Sequence, residues 1–312
     1  MHRPRQVSPT TPSPPSPNSG VKEGSVLSEA VLVGELENLY LKVGIYGPNR
    51  VGKTTLACTF PKPLLLVSFE LNPTGGAMSV RRVPGVDYLK VTQTEKAFRL
   101  AEELEKSLQG YKTLVIDSVT AYQDLFLKEI LNLSSLPEQI DFGGVSGEDY
   151  RRRSERVKEG VRPFLNLPCH TVVISKERDH NPPKEERVNP RTGKLQPDMR
   201  PKFLRGMQQK SYVTFDLGGA AAGWLYDQLD YVGRLYLDKE VVVRKISRKA
   251  GNAEIVEETA EETGRYVRRL RTLPHPNFAA GFRSEVPENL PEYIEEPTYE
   301  KLLAVIRGGE GK

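Results

Sequence analysis

Apolar positions along the chain alternate between short continuous runs and helical spacing. Leu41 to Tyr46 is a short apolar run that predicts a strand leading into Gly47, and Thr54 to Phe60 begins a helix that Pro61 and Pro63 end. Leu64 to Phe69 is continuously apolar, the pattern of a parallel strand buried on both faces. Ala97, Leu100, Ala101, Leu104 and Leu108 place a helix over residues 95–108, and Thr113 to Ile116 predicts another buried strand. Residues 119–133 read as helix, as do 148–165, with Tyr150, Val157, Val161 and Phe164 on one face. His170 to Ile174 is the next strand. Strands alternating with helices imply a parallel sheet covered on both sides.

Beyond Ser175 the regular pattern stops until about Phe215, and so long an irregular stretch inside a domain points to function. Residues 219–229 predict a helix. The strand-like runs 231–237, 240–246 and 265–270 have no helices between them, which suggests antiparallel pairing at one sheet edge, and 298–306 predict a final helix. The expected fold class is therefore α/β, a mainly parallel sheet with helices on both faces and an antiparallel edge. It would occupy residues 38–272, with a basic loop at 176–215 and a C-terminal extension over 273–312.

Composition refines this picture at three points. Pro4, Pro9, Pro12, Pro14, Pro15 and Pro17 interleave with serines, so residues 1–24 read as a disordered tail with too little apolar surface to offset the entropy of ordering. No run approaches the ~20 apolar residues of a membrane span, and the N-terminus lacks the apolar core of a signal peptide, so no membrane partner is expected. The two cysteines, Cys58 and Cys169, can form neither a disulfide framework nor a four-ligand zinc site, so they read as packed thiols of a reducing, cytoplasmic setting. Trp224 reads as core.

The chemistry concentrates at Gly47-Pro48-Asn49-Arg50-Val51-Gly52-Lys53-Thr54, which matches G-x-x-x-x-G-K-[ST] between a strand and a helix. The glycines let backbone N–H groups converge on phosphate oxygens, and the helix N-terminus adds partial positive charge. Lys53 would reach the β- and γ-phosphates of ATP, Thr54 would ligate Mg²⁺, and Thr55 would complete the cradle. Asp117 ends the strand from Thr113, at the sheet edge where open α/β folds bind ligands, and would hold the Mg²⁺ shell with Thr54. Glu70 follows the strand that ends at Phe69 and could polarise water. Ser175, with Lys176 after it, could sense the γ-phosphate.

In this order these parts resemble the RecA-type ATPase core, and more closely the bacteriophage-type AAA nucleotide-binding proteins. The resemblance rests on Gly47-Pro48 through Thr55, Glu70 at a strand end, and Val115-Ile116-Asp117-Ser118-Val119, with similar phrases at Phe60-Pro61-Lys62-Pro63-Leu64-Leu65 and His275-Pro276-Asn277-Phe278. It spans roughly residues 40–308. It implies that Lys53, Glu70 and Asp117 carry out ATP hydrolysis. It also implies action on single-stranded DNA in recombination, annealing or repair, in a bacterial or phage-infected cell. A homo-oligomeric ring or filament is expected, with a single-strand-binding protein as a possible partner. Residues 138–147 and 176–210 would occupy the places of RecA's first and second DNA loops. Ser175-Lys176 would occupy the place of RecA's coupling amide pair, and the lysine departs from that pattern.

Residues 176–210 hold ten Lys or Arg against five Asp or Glu, so the net charge of +4 is concentrated there. Arg178, Lys184, Arg187, Arg191, Lys194, Arg200, Lys202, Arg205 and Lys210 are candidate backbone contacts of a sequence-independent kind. Only Phe203 and Tyr212 could add the stacking that single-strand binders use. Arg151, Arg152, Arg153 and Arg156 form a second cluster on the solvent side of their helix, either a solvated face or a lining of the same groove. Arg269, Arg271 and Arg283, with Arg268 beside them, are candidates for an arginine supplied in trans to the neighbouring subunit's ATP. Two rival readings stay open: a small-molecule kinase, and a nucleotide-dependent scaffold without significant turnover.

Overall fold

The computed structural model describes residues 40–72, 75–133, 145–180, 212–250 and 253–309. The chain divides into two units, residues 1–39 and Tyr40–Lys312. The first unit, with the Pro/Ser-rich tail, lies outside the described residues.

The second unit is built on one sheet. Its parallel part consists of β1 (Lys42–Gly47), β2 (Leu64–Ser68), β3 (Val86–Lys90), β4 (Thr113–Asp117) and β5 (His170–His180). The helices are α1 (Lys53–Ala57), α2 (Thr94–Lys106), α3 (Val119–Ile130), α4 (Gly147–Asn166), α5 (Gly219–Gln228) and α6 (Tyr299–Ile306). The remaining strands are β6 (Tyr212–Phe215), β7 (Tyr231–Ala250), β8 (Ala253–Arg271), β9 (Gly281–Phe282) and β10 (Tyr293–Glu295). The sheet order is β10-β8-β7-β1-β5-β4-β2-β3, with β6 on β5 and β9 on β7. β7 runs parallel to β1, while β8 and β9 pair antiparallel with β7 and β6 pairs antiparallel with β5. The fold class expected from the sequence is observed.

Two apolar cores explain why the strands lack simple alternation. On one face Leu65, Val67, Leu114, Ile116 and Val173 pack against α2, α3, α4 and α5. On the other face Leu64, Leu66, Val115, Val172 and Ile174 pack with Leu56 of α1 and with Leu302 and Val305 of α6. Both sides of each central strand must be apolar, which yields the continuous runs seen in the sequence. Cys58 and Cys169 are buried free thiols, and Trp224 packs, partly buried, against the first core.

The sequence reading departs from the structure in several places. β3 was not expected; it is an edge strand with two exposed central residues, so its apolar signal is thin. α1 is shorter than the predicted helix and stops at Ala57. The two runs at 231–237 and 240–246 are one strand, and the polar Asp238-Lys239 pair between them adjoins a register shift rather than a break. β7 and β8 thus form a long two-stranded ribbon. Residues beyond 272, set apart as an extension, supply β9, β10 and α6 to the same sheet and core. Residues 138–144 of the first DNA-loop position lie outside the described residues, as do 181–211 of the basic loop.

α4 crosses α3 closely because Gly160 has no side chain. A Cβ there would stand 2.5 Å from Tyr122 Oη and 2.7 Å from Phe126 Cζ, both on α3. Gly160→Val is expected to lower stability by about 1–3 kcal/mol through overpacking, measured as a fall in the urea midpoint at unchanged slope.

Candidate phosphate-binding site

The loop between β1 and α1 owes its shape to its glycines and to one non-glycine residue. Gly47 has φ 153° and Gly52 φ 95°, while Arg50 takes a left-handed φ of 66°. A side chain on Gly47 would overlap the carbonyl oxygen of Leu235 on β7, so only glycine fits there. The loop wraps a cavity of 910 Å³ whose wall includes Asn49 to Thr55, Glu70, Asp117, Ser118, Lys176 and Arg268.

Five side chains, Lys53, Thr54, Glu70, Asp117 and Ser118, meet at this cavity. Thr54 Oγ1 donates to Asp117 Oδ2 at 2.9 Å. Lys53 Nζ donates to the carbonyls of Gly47 at 2.9 Å and Pro48 at 2.6 Å, folded back across the loop. Ser118 Oγ donates to Glu70 Oε1 at 3.0 Å and also accepts from Ala121 N, capping α3. Glu70 is thereby held beside the acid at the end of β4. The sheet register supports the arrangement, because Ser68, Asp117 and Ile174 are level across β2, β4 and β5.

Burial controls the charges. It pushes the Asp117 carboxyl above its ordinary range; the Thr54 hydrogen bond and Lys53 oppose this, and Glu70 adds to it. Burial also pushes Lys53 down to about 8, against the pull of Asp117. A buried acid with a hydroxyl beside it and a desolvated lysine nearby form a site short of ionic partners. The 3-10 turn Gly75–Val80 crosses directly above. A Cβ on Gly76 would lie 2.6 Å from both Asp117 Oδ2 and Thr54 Oγ1, so the glycine keeps open the space next to these two oxygens. Oxygen ligands, one of them a carboxylate, in a space left clear by glycine suit a Mg²⁺ ion accompanying phosphate.

The other residues singled out in the sequence are distributed as follows. Ser175 does not reach the cavity: it is fully buried, within 3.0 Å of Thr120 Oγ1, donates to the Lys176 carbonyl and accepts from Asp216 N. The next residue, Lys176, lines the cavity instead, because alternation along β5 turns it there. Arg269 pairs with Asp238 at 2.6 Å and Glu295 at 3.3 Å, Arg271 with Glu292 at 2.8 Å, and Arg283 with Asp230 at 2.5 Å. None of the three is in the cavity wall. Arg268, on the opposite face of β8, is: it stands next to Gly52 and is gripped by Glu296, which accepts from its backbone N and from Nε, both at 2.8 Å. Tyr266, two residues before it, and Leu237, opposite it on β7, extend the same wall and are exposed. No local motif in the sequence marks Gly76, Tyr266 or Glu296, which reach this cavity through the fold alone.

Among the DNA candidates, Arg178 is exposed on β5, whereas Lys184, Arg187, Arg191, Lys194, Arg200, Lys202, Arg205 and Lys210 lie outside the described residues. Of the α4 cluster, Arg151 and Arg156 pair with surface acids, but Arg153 is buried rather than solvent-facing. It lines a second cavity with Asp124. Among the described residues no group of three or more His, Cys, Asp or Glu could hold a metal ion by itself, and no helix is long and apolar enough to cross a membrane.

The family model described as the AAA domain matches residues 39–284. No curated protein matches the chain. Among solved structures the chain is similar to a KaiC-like protein from the hyperthermophilic archaeon Pyrococcus horikoshii OT3. The two are 13% identical, the match covers 82% of this chain and 88% of that one, and the TM-score is 0.34.

Burial pushes the Asp124 carboxyl up to about 6, with Arg153 pulling it down. In the unfolded chain the same group titrates at about 3.9. The folded state therefore holds this proton more tightly. The resulting stabilisation is complete below about pH 4 and is lost as pH rises towards 6, to the extent of about 3 kcal/mol. Asp124→Asn should be no more stable than wild type near pH 4 and clearly more stable at pH 7, read from urea unfolding across that range.

Proposed function

The chain belongs to the AAA-domain family, and from that premise we propose that it binds ATP with Mg²⁺, hydrolyses it to ADP and phosphate, and couples this cycle to single-stranded DNA. The observation that carries the nucleotide part is the meeting of Lys53, Thr54, Asp117 and Glu70 in one cavity, with Thr54 bonded to Asp117.

The roles follow from the chemistry of each group. The backbone N–H groups of residues 49–54 bind phosphate oxygens, aided by the α1 N-terminus. Lys53 exchanges its two carbonyl partners for phosphate oxygens, and a desolvated ammonium gains strongly from an anion. Thr54 and Asp117 would hold Mg²⁺, which when bound would neutralise phosphate charge. Glu70, fixed by Ser118, takes the proton of the attacking water as the new P–O bond forms and the bond to the β-phosphate oxygen breaks. Tyr266 and Leu237 present apolar surface in the same wall, beside Arg268, suited to the base. Arg268, held by Glu296, brings positive charge to the phosphates within the same chain.

The DNA part is supported by charge. The excess of Lys and Arg between 176 and 210 begins at Lys176, in the wall of the nucleotide cavity, and residues 181–211 lie outside the described residues. The antiparallel β5–β6 pair, from Glu177 opposite Phe215 to His180 opposite Tyr212, roots this segment in the sheet. Recombination, annealing or repair is the setting this reading favours, in a homo-oligomer of ring or filament form.

Hydrolysis is tested by release of free phosphate with and without single-stranded DNA over a salt series. Wild type should turn over with stimulation that fades as salt rises. Glu70→Gln should lower kcat by roughly 10²–10⁴ while retaining ATP affinity, and Lys53→Ala should lose both. Turnover by Lys53→Ala at the wild-type rate would remove the proposed mechanism. A phosphorylated acceptor in place of free phosphate would favour a kinase.

Gly76→Ala tests the metal assignment separately. Its Cβ would crowd Thr54 Oγ1 and Asp117 Oδ2. The Mg²⁺ concentration for half-maximal nucleotide binding should rise roughly tenfold, with metal-independent binding changed little.

A further inference from the structure

A second cavity, of 770 Å³, opens beside the first, between the starts of α3 and α4 and the outer end of β5. Among the described residues Lys176 alone lines both cavities. We infer that this second cavity is a binding site for a phosphoryl anion, anchored by Arg153 and linked to the nucleotide site through Lys176. The linkage rests on the ATP-binding reading above; the anion site itself does not. The phosphoryl group could be a phosphodiester of a DNA strand or free inorganic phosphate, and the experiment below separates these sources.

Arg153 is the first ground. It is 8% exposed, and its Nε has no hydrogen-bond partner. Its helix neighbours behave differently: Arg151 bonds Glu148, and Arg156 bonds Glu129 and Glu159. Arg153 is turned inward over the ring of Tyr150, 4.9 Å from its centroid. Nε is closed off from solvent, so an anion in the cavity would meet the Nη edge of the guanidinium beside Gly218, where charge pairing offsets part of the cost of burying it. Its planar fork suits the paired oxygens of a phosphoryl group.

The space beside it is the second ground. A Cβ on Gly218 would lie 3.0 Å from Arg153 Nη2 and 2.9 Å from Ser154 Oγ. Gly218 has φ −58°, which any residue can adopt, so its backbone does not require glycine; the absent side chain leaves room at the guanidinium. Arg151, Lys176 and Arg178 add cations to the wall, against Asp124, Glu155 and Asp216.

Lys176 supplies the link. Its backbone N donates to Thr120 Oγ1 at 3.1 Å, and its carbonyl accepts from Ser175 Oγ at 2.8 Å and Asp216 N at 2.9 Å. Its main chain is therefore fixed, while its charge acts on Lys53 in one cavity and Asp124 in the other. Anions in the two cavities draw on the same ammonium, so filling one must alter affinity in the other, and reciprocally.

The test uses the full chain, with Arg153→Met and Arg178→Gln. Binding of a labelled single-stranded oligonucleotide is read by anisotropy and of inorganic phosphate by calorimetry, both with the nucleotide site filled by saturating ADP. ADP affinity and thermal unfolding are measured in parallel. Arg153→Met should weaken anion binding at least roughly tenfold, as loss of a charge-assisted contact implies. Arg178→Gln should weaken it several-fold. ADP affinity should persist in both. Loss of oligonucleotide binding identifies the strand as the source. If wild type ignores the oligonucleotide but binds phosphate through Arg153, the site stands with free phosphate as its ligand, and the DNA part of the proposed function falls. Wild-type binding of both anions by a folded Arg153→Met protein overturns the inference, as does a wild-type chain that binds neither. If Arg153→Met does not fold, the exposed Arg178→Gln decides in the same way.

Discussion

The hydrogen bond from Thr54 to Asp117 is the contact on which the geometry of the site depends. It joins the start of α1 to the end of β4 across 63 positions of sequence. Asp117 is only 6% exposed, and a carboxylate so placed is tolerable only with a donor and a positive charge at hand. That requirement fixes the surroundings. β4 must sit between β2 and β5 in a register that brings its last residue level with Ser68 and Ile174. The β1–α1 loop must turn tightly enough to present Thr54 and Lys53, which glycine makes possible at 47 and 52. The turn above must pass without a side chain at Gly76. An error in any of these leaves the acid unsatisfied.

Much of this was legible in the sequence because the chemistry is written in contiguous residues. Gly47 to Thr54 sits between a strand and a helix, and Asp117 ends an apolar run. Each signal needs only local context. The two-faced burial of the sheet was legible for the same reason: a strand covered on both sides is apolar throughout. It also hid something. When every position in a strand is apolar or small, alternation cannot say which residue at its end faces the ligand. Ser175 and Lys176 were indistinguishable by pattern, and only the pairing of β5 with β1 and β6 separates the buried hydroxyl from the lysine in the wall.

Arg153 shows the opposite failure. The helical spacing that places Tyr150, Val157, Val161 and Phe164 on one face also places Arg153 there, three residues after Tyr150 and four before Val157. Its charge argued for solvent and its position for the interior, and position prevailed. The same competition decided the arginines of β8. Arg268, Arg269 and Arg271 are close in sequence, yet strand alternation sends Arg268 to the P-loop with Tyr266 and leaves Arg269 and Arg271 bonded to acids outside the cavity wall. Glu296, whose grip orients Arg268, lies 28 residues on and is brought near by the pairing of β10 with β8. No local motif could announce a clamp assembled from two strands at opposite ends of a connection.

These placements have a common cause. The carboxyl ends of β1, β4 and β5 converge where the sheet stops, and there the backbone must find partners other than a neighbouring strand. The β1 end finds them by wrapping a loop suited to phosphate. The β4 end uses Ser118 as a helix cap, and that same hydroxyl holds Glu70. Past the end of its pairing with β4, β5 uses Thr120 and Ser175, a buried hydroxyl pair that satisfies the amides of Lys176 and Asp216. Hydroxyls that solve a backbone problem thus also set the positions of the charged side chains beside them. The main chain between the two cavities is hydrogen-bonded at Lys176 N and O for that reason, which leaves the lysine's side chain as the part free to respond to an anion on either side.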